Sequence, residues 1–169
     1  FGSKRLKMKN LALIDGKPMI SYAINAAKKA KCFDKVILNS ENKIFNSISN
    51  RYGVDFYHRP KDLGSSNAKS DLVVADFINN HSEADIVAWV NPISPFQSSK
   101  EILCVINHFI SNKFDSLITV EDKQVHCNYK DKPVNYHKDG KFEQTQDLVP
   151  IQPFVYSLMI WKSKVFLKE

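Results

Sequence analysis

The residue pattern predicts an α/β fold: a three-layer domain on a mostly parallel sheet, with a small β excursion. Three observations carry this. Short apolar runs alternate with helically spaced segments through residue 120, as βαβ units require. Polar segments fall at the C-terminal ends of the apolar runs, where open parallel sheets bind ligands. After Glu121 the alternation stops and a polar stretch with a hairpin signal takes over.

Phe1–Asn10 is a basic loop. Gly2 and Ser3 head it, and Lys4, Arg5, Lys7 and Lys9 follow. Glycine lets a backbone approach a ligand closely, and N–H groups, a hydroxyl and cations in one turn suit a polyphosphate. A solvated basic terminus is the alternative. The loop precedes a helix, so the alternation expects a strand upstream of Phe1, outside this sequence.

Gly16-Lys17-Pro18 ends the loop, with proline at a first-turn position. Met19–Lys31 places Ile20, Ala23, Ile24 and Ala27 at helical spacing, with Lys28, Lys29 and Lys31 near the end favoured by the dipole. Lys35–Leu38 suits a buried strand ending in the polar triplet Asn39-Ser40-Glu41. Asn42–Tyr52 is a helix closed by Gly53. Val54–Tyr57 is a strand, followed by Arg59-Pro60 and a polar loop, 61–67. A helix over about Lys69–Asn80 turns Val73, Val74, Phe77 and Ile78 inward. Ile86–Val90 is a strand ended by the two prolines of Asn91-Pro92-Ile93-Ser94-Pro95. Lys100–Asn112 is a helix and Leu117–Val120 a strand.

Residues 121–150 form the excursion, an arm or a substrate-side flap, with a hairpin over Val134–Phe142 turning at Asp139-Gly140. Phe154–Trp161 returns as a strand and Val165-Phe166 begins another element.

Net charge is +6, from 24 basic and 18 acidic residues, compatible with phosphate-bearing ligands. Nucleic-acid binding is disfavoured, because no aromatics interleave with the loop cations and no helix-turn-helix pattern occurs. No apolar run approaches the roughly 20 residues of a membrane span. Cys32, Cys104 and Cys127 are scattered without metal-ligand spacing and read as reduced thiols in a cytoplasmic protein.

Several segments together carry a resemblance. Gly2-Ser3-Lys4-Arg5, then Lys9-Asn10, then Gly16-Lys17-Pro18-Met19-Ile20 resembles the opening of the acylneuraminate cytidylyltransferases (CMP-sialic acid synthetases). That family reads Ala-Arg-Gly-Gly-Ser-Lys-Arg and, a few residues on, Lys-Asn. Asn39-Ser40-Glu41 stands where the family has Ser-Thr-Asp. Arg59-Pro60 matches its Arg-Pro loop. Asn91-Pro92-Ile93-Ser94-Pro95-Phe96, followed by Gln97, is similar to its Gln-Pro-Thr-Ser-Pro-Leu-Arg. The match runs in order over about 120 residues of a chain of 169. Near 155–160 the family has an Asn-Gly step, and this chain has Tyr156-Ser157.

The resemblance implies a Rossmann-like domain of the nucleotide-diphospho-sugar transferase type. It spans 1–169, with 121–150 as a dimerisation arm or flap and with the first strand and C-terminal portion absent. It implies an Mg²⁺-dependent enzyme coupling CTP to a sialic-acid-like 2-keto sugar acid, giving a CMP-sugar and pyrophosphate. By the same resemblance Lys4 and Lys9 are catalytic. Gly2, Ser3, Lys4, Lys9, Asn10, Ser40 and Arg59 bind nucleotide, and Asn91, Ser94 and Gln97 bind the sugar. The family's metal-binding aspartates would fall beyond Glu169, and a homodimer is expected. Two alternatives remain open: a CMP-KDO-synthetase-like enzyme, and a nucleotide-binding protein that has lost catalysis.

The bland readings stay beside these. Ser3 would cap the turn, Ser40 the following helix, and Arg59 would sit in a structural ion pair.

Overall fold

The computed structural model describes residues 8–138 and 143–168. The chain divides into two compact units, Phe1–Leu117 with Ser157–Glu169, and Ile118–Tyr156.

In the larger unit a one-turn 3-10 helix, Lys9–Leu11, leads into a hairpin of β1 (Leu13–Ile14) and β2 (Lys17–Pro18). Asp15 and Gly16 turn it, at φ 48° and 70°. Two successive left-handed residues make the tight turn that Asp-Gly favours. A sequence reading that took residues 11–18 as loop passed over that signal.

Helix α1 (Met19–Ala30) follows directly. It has two buried faces. Ile20 and Ile24 pack with Leu38 and Phe45, and Leu11, Ile48 and Val54 close that cluster. Ala26 and Ala30 pack instead with Ile102, Ile106, Phe109, Leu158 and Ile160. Alanines on this second face let α1 and the later helix approach closely.

Strand β3 (Ile37–Ser40) runs on through Asn39 and Ser40, two residues beyond the apolar run that predicts it. Helix α2 (Ile44–Tyr52) ends at Gly53, whose φ of 61° is the left-handed cap expected there. Strand β4 (Asp55–His58) pairs parallel with β3, Ile37 opposite Asp55 through Ser40 opposite His58. Residues 61–64 form a 3-10 turn, and helix α3 (Ser70–Asn80) buries Val73, Val74 and Ile78.

Strand β5 (Ile86–Val90) coincides with its predicted run. Helix α4 (Ser99–Ser111) starts on a capping box: Ser98 Oγ accepts from Glu101 N–H, and Glu101 Oε2 accepts from Ser98 N–H. Strand β6 (Ser116–Val120) follows.

In the smaller unit β7 (Asn128–Tyr129) and β8 (Lys132–Pro133) form a hairpin through Lys130 and Asp131, both at positive φ. The hairpin predicted over Val134–Phe142 is not there in its described part, since 134–138 hold no strand. Its Asp139-Gly140 turn lies outside the described residues. Asn135 organises this unit. Its amide donates to the Val125 and Val149 carbonyls, and its Oδ1 accepts from Cys127 N–H.

Strand β9 (Phe154–Lys162) returns to the larger unit, where Val90 faces Leu158 and Ile86 faces Lys162 antiparallel. The strand order is β5-β9-β6. Leu158, Met159 and Ile160 are consecutive and buried, so β9 is covered on both faces there, as an inner strand must be. Tyr156, in the same strand, holds φ at 54°. Helix α5 (Ser163–Phe166) closes the described chain, and Ser163 Oγ donates to Ala84 O.

The α/β class stands, with one revision. Among the described residues the sheets are mixed, because β3–β4 is parallel but β5–β9 is antiparallel. Alternation of elements predicts that strands are linked by helices. It does not reveal a late strand inserted between two earlier ones.

Candidate functional site

The β3–β4 register fixes the centre of the site. Ser40 faces His58, so Glu41 and Arg59 leave the same sheet edge side by side. Arg59 N–H extends the ladder by donating to Ser40 O at 3.2 Å. The Arg59 guanidinium then reaches back across the edge. Its Nη2 donates to Glu41 Oε2 at 2.7 Å. Its Nη1 donates to both the backbone and side-chain oxygens of Asn39, each at 3.2 Å. The pair is well buried, with side-chain exposures of 17% for Arg59 and 9% for Glu41.

Ser40 is itself buried. Its hydroxyl accepts from Asn42 N–H at 3.2 Å and lies 3.5 Å from Glu41 Oε2. Burial pushes the Glu41 carboxyl up. Hydrogen bonds to it, with a lesser pull from the Arg59 guanidinium, outweigh burial, so it is held below the ordinary carboxylate range. Arg59 Nε is buried and has no hydrogen-bond partner among the described residues.

Gly64 makes room for this arrangement. A Cβ there would lie 2.2 Å from Glu41 Cγ. Glycine at 64 is therefore required by close approach and not by backbone conformation. Behind the edge, Tyr57 O–H donates to Asp76 Oδ2 at 2.9 Å. Burial, with that bond and the Asp76 charge, pushes the Tyr57 hydroxyl up to about 12.

Of the predicted nucleotide-binding residues, Ser40 and Arg59 meet here. Lys9 and Asn10 lie in the 3-10 turn entered through Met8 at φ 54°. Leu11, the next residue, packs on the cluster that holds Leu38, so the turn and the base of β3 share one core. Gly2, Ser3 and Lys4 lie outside the described residues.

The predicted sugar-binding residues follow β5. Asn91 N–H donates to Ser157 O, and its Oδ1 accepts from Ile93 N–H, which folds the segment into a turn. Ser94 N–H donates to Asn91 O and Gln97 N–H to Ser94 O, so two successive turns carry the chain to the α4 cap. Gln97 lines a cavity against α1 that also takes in Lys17 and Ser21.

Sequence reasoning did not single out Glu41, Gly64 or this cavity. Gly64 was legible as a glycine in the polar loop after Arg59-Pro60, and Glu41 as the last residue of the polar triplet after β3. The cavity was not, because it joins helices about 70 residues apart in the sequence.

Among the described residues no group of three or more His, Cys, Asp or Glu comes together. The one carboxylate at the strand-end cluster, Glu41, already faces Arg59. Among the described residues, too, no helix is long and apolar enough to cross a membrane.

Comparison with known proteins gives the lineage. The family described as Cytidylyltransferase matches residues 1–153. An N-acylneuraminate cytidylyltransferase of Escherichia coli O18:K1:H7 is 28% identical over 161 residues, covering 82% of this chain and 38% of that protein. A CMP-N,N'-diacetyllegionaminic acid synthase of Legionella pneumophila is 27% identical over 154 residues, 86% of this chain and 66% of the relative. Among solved structures, CMP:2-keto-3-deoxy-manno-octonic acid synthetase complexed with CTP superposes with a TM-score of 0.72 at 14% identity, over 99% of this chain and 72% of that one.

The chain spans only 38% and 43% of the length of the first two curated relatives. With the family matched over most of its length, this chain belongs to the cytidylyltransferases, as a divergent relative of the N-acylneuraminate branch.

Proposed function

We propose that the protein transfers a cytidylyl group from CTP to a sialic-acid-like 2-keto sugar acid. The observation that carries this reading is the family match over residues 1–153, which spans every loop named above. The sugar hydroxyl attacks the α-phosphorus and loses its proton. The bond from the α-phosphorus to the bridging oxygen breaks, and pyrophosphate leaves. Such chemistry rests on positioning and on charge neutralisation.

In this reading Lys4 and Lys9 are the catalytic cations on the triphosphate, with Gly2, Ser3 and Asn10 shaping the cradle. Ser40 lines the cytidine side. Arg59 acts there through Asn39 and Glu41, since both its terminal nitrogens are engaged by them. Asn91, Ser94 and Gln97 face the sugar. Dependence on Mg²⁺ belongs to the proposal on the general ground that triphosphates travel with the ion. The unit Ile118–Tyr156 serves as the homodimer surface, and free Cys32, Cys104 and Cys127 suit a cytoplasmic setting.

The test is pyrophosphate release by the full-length protein with CTP, Mg²⁺ and a panel of nonulosonic and octulosonic acids. Turnover is expected with at least one sugar. The Lys9→Ala variant should lose at least about 100-fold in kcat/KM, as removal of a phosphate-neutralising group does. Absence of turnover with every sugar would remove the catalytic reading.

The Arg59–Glu41 pair favours a second reading, a CTP-binding protein without catalysis. A carboxylate at 41 paired to Arg59 sets a fixed charge pattern at the strand ends that leaves room for nucleotide binding without turnover. CTP binding by calorimetry, without turnover, would select it.

A further inference from the structure

We propose that His58 is a further nucleotide-binding residue, one that accepts a hydrogen bond from a donor group of the nucleoside. The inference rests on the reading of the β3–β4 edge as the cytidine side, and adds to it a residue that this reading does not contain. His58 is the last residue of β4 and stands opposite Ser40 in the parallel register. Residues opposite each other in a sheet project to the same face, from strands about 4.8 Å apart. His58 therefore shares the face of Ser40.

The ring is held from two sides. Phe56, two residues back and so on the same face, stacks on it at a centroid distance of 6.0 Å and an interplanar angle of 25°. On its other contact, Nε2 lies 3.0 Å from Glu41 O. A carbonyl oxygen only accepts, so Nε2 carries the hydrogen, and in the neutral ring Nδ1 is the acceptor. The Glu41 carbonyl thus fixes both where Nδ1 sits and what it offers.

The neighbouring polar side chains are engaged already. Ser40 is buried, and its hydroxyl accepts from Asn42 N–H. Asn39 Oδ1 and Glu41 Oε2 accept from the two terminal nitrogens of Arg59. His58 is exposed, and its one hydrogen bond among the described residues runs through Nε2. An oriented acceptor at Nδ1 calls for a ligand donor. Ionised phosphate oxygens only accept, so Nδ1 does not serve the triphosphate. The donors of CTP are the 4-amino group of the base and the two ribose hydroxyls. His58 reads one of these.

Calorimetry with CTP on the full-length protein tests this. His58→Gln keeps a nitrogen at the ε position for Glu41 O and removes the acceptor at the δ position. CTP should then bind about tenfold more weakly, the loss of one hydrogen bond. His58→Asn keeps a polar group at the δ position and should recover most of that loss. UTP, 2′-deoxy-CTP and 3′-deoxy-CTP each lack one of the three donors. The analogue lacking the donor that His58 reads should bind wild type and His58→Gln alike, which separates a ligand contact from a structural role. Binding of CTP that His58→Gln leaves unchanged overturns the inference and leaves the nucleotide reading in place. So does a loss that is equal for CTP and all three analogues. A wild-type protein that binds no CTP removes the nucleotide reading, and this inference with it.

Discussion

Arg59, Glu41 and Gly64 form a three-residue device at the end of two parallel strands. The carboxylate fits because residue 64 has no side chain, and the guanidinium fits because the carboxylate is there. Removing one partner of a buried pair leaves the other charge uncompensated, which costs about 3–5 kcal/mol. Glu41→Gln should therefore lower stability by roughly that amount in urea unfolding at neutral pH. The acid limb has a definite sign. A carboxyl held below its unfolded value contributes stability above the ordinary carboxylate range, and loses it as pH falls through the folded value. The difference between the wild type and Glu41→Gln should thus shrink as pH drops below the unfolded carboxylate value. A constant difference down to full protonation would show that the charge of Glu41 is not what stabilises the pair. Little of this was readable beforehand. Arg59 was visible as a site residue or a structural ion, and Glu41 as a departure from Ser-Thr-Asp. Only the β3–β4 register makes them neighbours, and register is a long-range property.

Helix α1 links two clusters that the rest of the chain keeps separate. Its isoleucines serve the β3 side, and its alanines serve α4 and β9. The sequence pattern showed the first face plainly, through Ile20, Ala23, Ile24 and Ala27. The second is written in Ala26 and Ala30, which periodicity weights lightly because alanine buries little area. Helix α4 carries its start signal openly in Ser98-Ser99-Lys100-Glu101, where a serine caps and a glutamate returns the bond. Ser98→Ala should destabilise the protein by about 1 kcal/mol, measured as a shift in denaturation midpoint at unchanged m-value. An unaltered midpoint would mean that packing of Ile102, Ile106 and Phe109 fixes the helix end unaided. The Asp15-Gly16 turn is signalled by its Asp-Gly pair, but the two-residue strands it joins give no periodicity.

At the scale of the whole molecule, each unit has its own means of cohesion. The larger unit buries three apolar clusters. The smaller one relies on the bonds of Asn135 and on buried Leu148, and it exposes Val125, Tyr129, Val134, Val149 and Phe154. Exposed apolar side chains on a small polar unit suit a partner surface. The proposed homodimer should appear in light scattering at micromolar concentration, and Tyr129→Asp with Val149→Asp should shift it to monomer while leaving the far-ultraviolet spectrum intact. A wild-type monomer would remove that surface from the account. The alternating body was legible from residues 19 to 120, because each element there is at least four residues long and amphipathic or wholly apolar. The excursion was legible as a polar break over 121–150, but its internal pairing was not, because its strands are two residues long and side chains such as Asn135 and Gln124 tie its turns together.

Tyr156 has a bearing on how this lineage can drift. A bulky side chain held in the left-handed region costs roughly 1–2 kcal/mol relative to the ordinary one. Glycine and asparagine accept that geometry most readily. Position 156 is therefore a one-way slope in mutational space. Exchange to Gly or Asn runs downhill, and exchange to Val or Ile runs uphill. Tyr156→Gly or Tyr156→Asn should therefore raise the denaturation midpoint, and Tyr156→Val should lower it.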